Sequence, residues 1–89
     1  MVTTYLPIIR KEDYEAFRRI LHPNLPDTHN EWFYLHAKER ADYEGRRHTV
    51  IEVAVNPNEF TGFLNARGDK ANLHTLGTFT YEKGLREKK

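Results

Sequence analysis

Between Arg10 and Leu21 the apolar residues Tyr14, Phe17, Ile20 and Leu21 recur at helical spacing, and Pro23 stops the run. This predicts a first helix. Ahead of it, residues 3–8, TTYLPI, are β-branched and aromatic, but Pro7 cannot donate to a ladder, so only an edge strand or an extended lead-in is expected. The connection HPNLPDT is rich in turn residues. Thr28 followed three residues later by Glu31 reads as a capping box for a second helix over about 29–44, ended at Gly45 by a left-handed cap.

In HTVIEVAVN, Thr49, Ile51, Val53 and Val55 alternate with Val50, Glu52 and Ala54, which predicts a half-buried strand over 48–55. Asn56 then caps a third helix with Pro57 at its first position, Phe60, Phe63 and Leu64 as its apolar stripe and Gly68 as its stop. The last stretch, NLHTLGTFTYEKG, is ambiguous, since Thr75, Phe79 and Tyr81 alternate as in a strand. Leu73, Leu76, Phe79 and Lys83 also fit a helix capped by Asn72 and closed by Gly84, and the helix over 73–83 is preferred. Residues 85–89 read as a frayed tail.

One strand cannot stand alone. Its partner is residues 3–8, the C-terminal segment, or the same strand of another copy, which makes an exposed edge and a homodimer part of the expectation. The fold class is α+β: a small, mostly helical single domain over 1–89, with three or four helices and a short two-stranded sheet or edge strand.

Length limits what such a domain can enclose. A chain of 89 residues buries only about 60 to 65 per cent of its unfolded surface, which leaves room for one core and not for a large enclosed site. Hydrophobic residues at 38% and aromatics at 12% are too many for a disordered chain. Fourteen Lys and Arg against thirteen Asp and Glu leave a formal charge of +1, without the basic excess of a phosphate-backbone binder. There is no cysteine, which removes disulfides, thiolate chemistry and cysteine-ligated zinc. No apolar run is long enough to span a membrane and no secretory leader pattern opens the chain, so a cytoplasmic domain of bacterial style, with no membrane partner, is expected.

The sharpest chemistry lies in NEWFYLHAKER, residues 30–40. On the second helix His29, Trp32, Phe33 and His36 share one face, with Glu39 a further turn along. A His-x-x-Glu pair on one helix can ligate a metal when other helices complete the set, but there is no second pair, no HExxH and no three-histidine cluster. No metal and no cofactor are expected. The carboxylates Glu12, Asp13, Glu15, Glu31, Glu39, Asp42, Glu44, Glu59 and Asp69 fall at helix starts or on polar faces, where they complement the helix dipole or pair with Lys and Arg. There is no serine or cysteine nucleophile and no phosphate-cradling glycine loop. No catalytic residues are assigned, and an enzyme, whether metal-dependent or acting on a small ligand, ranks last.

Nucleic-acid binding ranks second. Arg10, Lys11, Arg18 and Arg19, then Arg40, Arg46, Arg47 and His48, and finally Arg86, Lys88 and Lys89, can form a basic stripe with Tyr14, Tyr34 or Tyr43 interleaved for stacking. Arg46 and Arg47 mark a helix-to-strand junction where a phosphate can sit. The neighbouring carboxylates count against it, because ion pairing on a solvated face explains the same charges.

The leading expectation is an interaction module that binds another protein or itself. WFYL covers about 300° of a helix at roughly 100° per residue, so one of its side chains must face away from the core. The face through Phe33, Ala37 and Ala41 is the expected core seam, with Trp32 and Leu35 on one flank and Tyr34 on the other. The candidate binding residues are Trp32, Tyr34, His29, His36, Arg46 and Arg47.

Overall fold

The computed structural model describes residues 2–87. Strand β1 (Thr3–Ile9) leads into α1 (Lys11–Ile20) and α2 (His29–Gly45), then β2 (Thr49–Val55), α3 (Pro57–Arg67) and α4 (Leu73–Glu87). The expected α+β domain with a two-stranded sheet is present, and the partner of β2 is β1. The strands run parallel, with Thr3 opposite Thr49 and Ile9 opposite Val55. A parallel pair cannot be closed by a tight turn, and α1 and α2 form the crossover.

The sheet has two unlike faces. Tyr5, Pro7 and Ile9 share one with Ile51, Val53 and Val55; Thr4, Leu6 and Ile8 share the other with Val50, Glu52 and Ala54. On the first face Ile9 and Val55 join Tyr14, Phe17 and Leu21 of the α1 segment, Phe60 and Leu64 of α3, and Leu76 and Phe79 of α4 in one buried cluster, which Trp32 of α2 completes at its edge. The rings of Phe17 and Phe60 are 6.0 Å apart and those of Phe60 and Phe79 5.6 Å apart, so three helices meet around Phe60. α2 packs on the other face through Glu52.

The caps follow largely from local chemistry. Thr28 Oγ1 accepts from the Glu31 N–H at 3.2 Å, and its hydroxyl also donates to Glu31 Oε1 at 3.1 Å. Asn56 Oδ1 accepts from Asn58 and Glu59, and Asn72 Oδ1 accepts from Thr75 at 2.8 Å. The last segment is therefore a helix, with Leu76 and Phe79 buried.

Three local expectations are corrected. Gly45 is the last residue of α2, and the left-handed conformation falls at Arg47, with φ 64°. Gly68 does end α3, with φ 68°. Gly84 ends nothing: it lies inside α4, where a Cβ would run into the Tyr5 ring and come within 3.1 Å of Val53. The glycine lets α4 approach the sheet; its role is close packing rather than termination. The third correction concerns the seam of α2. Trp32 and His36 are its buried residues, whereas Phe33, Ala37 and Ala41 face solvent. Of the expected tail, residues 88 and 89 lie outside the described residues, and α4 runs to Glu87.

Candidate functional site

α2 is held to the domain by one large ring and three polar contacts. Trp32 packs beside Tyr14, with centroids 6.3 Å apart, and His36 stacks on Trp32 at 5.0 Å with the planes 22° apart. The His29 Nε2–H donates to the Ile9 carbonyl at 2.8 Å. His36 Nε2 bonds Glu52 Oε2 at 2.8 Å, and Arg40 Nη1 donates to Glu52 Oε1 at 3.2 Å. Both oxygens of Glu52 are thus engaged, and its carboxylate works as an anchor for α2. Nothing in the residues alone singled out Glu52, apart from its being a carboxylate between Val50 and Ala54 on the less apolar face of the strand.

This anchoring fixes the rotation of α2 about its axis. With Trp32 and His36 turned inward, Phe33, Tyr34 and Leu35 are left 55%, 64% and 52% exposed. Phe33 stacks on His29 at 6.2 Å, and Lys38 Nζ lies 5.5 Å from the centre of the Tyr34 ring. A domain with limited apolar content therefore leaves three successive large apolar side chains in solvent.

Between α2 and the outer edge of β1 runs a groove of about 420 Å³. Trp32, Leu35, His36, Glu39 and Tyr43 of α2 form one wall, Leu73, Leu76 and Gly77 of α4 the other, and Thr4 to Pro7 of β1 the floor, closed at one side by Asn24, Leu25 and Pro26. The register explains what the floor presents. Thr49 N–H donates to the Val2 carbonyl at 2.8 Å, so in the parallel ladder Thr4, Leu6 and Ile8 turn their backbone groups toward β2. Thr3, Tyr5, Pro7 and Ile9 turn theirs outward. Pro7, which has no N–H, falls on the uncovered side, where β2 loses no bond. His29 occupies the Ile9 carbonyl, and on the opposite edge Lys83 Nζ donates to the Ala54 carbonyl at 2.8 Å.

The structure separates the candidate residues. Trp32 and His36 line the groove, Tyr34 is on the solvent side of α2, and His29 is spent on the β1 carbonyl. Arg46 lies 3.9 Å from Asp42, and Arg47 is exposed at the turn before β2. His48 Nδ1 hydrogen-bonds Thr4 Oγ1 at 2.9 Å, tying the two strands at their start. Three more arginines of the stripe are paired: Arg10 with Asp13, Arg18 with Glu15, and Arg40 with Glu44 and Glu52. Among the described residues no group of three or more His, Asp or Glu is placed to hold a metal, and no helix is long and apolar enough to cross a membrane. Tyr5, Pro7, Leu35 and Leu76 were not singled out as site residues, because the sequence pattern does not reveal which strand edge stays open.

Tyr14, beside Trp32, is a titrating group whose surroundings shift it. Burial raises its pKa, and the carboxylates of Glu31, Asp27 and Glu15 push the same way against a smaller effect of Arg18 than burial exerts. Its hydroxyl donates to the Pro26 carbonyl, which fixes the loop at the end of the groove. Comparison of the chain with protein-family models, with curated proteins and with solved structures finds no match.

Proposed function

We propose that this domain is an interaction module that binds another protein, or itself, through the aromatic face of α2 and the open edge of β1. The observation that supports this reading is the exposure of Phe33, Tyr34 and Leu35 together on a helix whose rotation is pinned by His29, His36 and Arg40. Three large apolar side chains exposed within one helical turn leave much apolar area in water, and a concentration of such area is characteristic of contact surfaces. A cytoplasmic setting and a homodimer belong to the same reading, since a cysteine-free chain gives up nothing in a reducing compartment.

The test is a triple variant, Phe33→Ser, Tyr34→Ser and Leu35→Ser, compared with the wild type by sedimentation over a range of concentrations and by the set of proteins each retains. The reading expects self-association or a retained protein to be lost in the variant, with the fold unchanged by circular dichroism. Identical sedimentation and identical retained proteins for both chains would refute it.

A further inference from the structure

From the floor and walls of the groove, we infer that β1 accepts an extended peptide segment as an added strand, with a Lys or Arg of that segment directed at Glu39. This rests on the interaction reading and specifies its partner. Tyr5 and Pro7 line the groove, and the ladder turns the Tyr5 N–H, the Tyr5 carbonyl and the Pro7 carbonyl toward it. An incoming strand supplies the matching main-chain groups. Its side chains alternate between the two faces. One set meets Trp32, Leu35 and Glu39 of α2, the other Leu73 and Leu76 of α4.

Charge chooses the occupant. Apart from His36, which is held by Glu52, Glu39 is the ionisable wall residue of clear sign. It has no ion pair or hydrogen bond among the described residues, whereas Glu44, Asp42 and Glu52 on or facing the same helix are all paired. A basic side chain entering beside Leu35 completes it. A second copy of this chain fits less well. Its β1 carries its own α4, packed against Tyr5 at Gly84, and its own α2 on the other face, where the walls of the first copy already stand. Pro7 also leaves self-pairing short of a donor.

The experiment is selection of a displayed library of random octapeptides against the intact domain, followed by binding measurements with the selected peptides made synthetically. The enriched sequences are expected to alternate apolar and β-branched residues with a Lys or Arg at one fixed position. Glu39→Lys, at an exposed site, should weaken them about tenfold at low salt and select acidic residues instead. N-methylation of the peptide nitrogen that faces the Tyr5 carbonyl should weaken binding by a similar factor, on the order of tenfold for one lost main-chain bond, and the Tyr5 amide should become protected from hydrogen exchange in the complex. Failure to enrich any peptide overturns the inference. So does binding insensitive to both Glu39→Lys and N-methylation; if such binding is instead lost in Phe33→Ser/Tyr34→Ser, the groove assignment falls while the broader interaction reading stands.

Discussion

The two faces of the sheet are covered by different means. On the Tyr5–Val53 face, α1, α3 and α4 seal a cluster in which Phe17, Leu21 and Phe60 have no exposed surface. On the Leu6–Glu52 face lies a single helix of 17 residues, which sends one ring, Trp32, to the edge of that cluster, buries His36 besides, and is positioned by hydrogen bonds to Ile9 and Glu52. Apolar burial is non-directional and supplies most of the stability. Hydrogen bonds and ion pairs add less net energy but are strict about geometry. The first face therefore holds the domain together, and the second fixes how α2 is turned and which side chains it offers to solvent.

Phe60→Ala should break the sealed side. A ring at the meeting point of three helices, once removed, leaves a cavity and costs about 3 to 5 kcal/mol, most of the stability expected of a domain this small. Urea unfolding would measure it. Trp32→Ala should cost about 3 kcal/mol, at the lower end of the same range because one side of the indole borders the groove. The two variants should differ in kind as well as size: hydrogen exchange is expected to speed up throughout the chain for Phe60→Ala but chiefly along α2 for Trp32→Ala. Equal acceleration in α3 and α4 for both would show that the two faces are one cooperative unit.

Gly84→Ala tests how closely α4 approaches the sheet. The new methyl meets the Tyr5 ring, which itself packs edge-on against Tyr81 at 5.4 Å, so overpacking should cost about 1 to 3 kcal/mol despite the better helix propensity of alanine. A gain in melting temperature would mean that Tyr5 moves aside freely.

Tyr14→Phe should cost about 1 kcal/mol at neutral pH through the lost bond to Pro26. It also carries a pH signature. Because the folded pKa of Tyr14 lies above its unfolded value, its contribution is fully present below the ordinary tyrosine range near about 10 and is lost as pH rises through the folded value. Melting temperature should thus fall less steeply on the alkaline side in Tyr14→Phe than in the wild type. The smallest effect is expected for Tyr34→Ala, within about 0.5 kcal/mol, since the ring is 64% exposed. A large loss there would mean that α2 is covered on its outer side too.

Much of the chain could be read from its order of residues. Helix starts at Thr28, Asn56 and Asn72 are legible because a cap is made by side chains within three residues of the backbone they serve. The alternation in β2 is legible because one strand face meets a core. Apart from the left-handed turn, which falls at Arg47 rather than Gly45, what failed depended on a partner far along the chain. Gly84 looks like a helix stop by local rules, yet its neighbour is Tyr5, at the other end of the sequence. Hydrophobicity puts the seam of α2 on Phe33, Ala37 and Ala41, whereas the helix is turned by polar contacts to Ile9 and Glu52, so that a histidine is buried and a phenylalanine is not. For the same reason Trp32 and His36 were visible as candidates while the groove they border was not. Its floor exists only because β1 pairs with β2 on one side alone, and the side left open is set by the parallel register, a contact between residues more than forty positions apart.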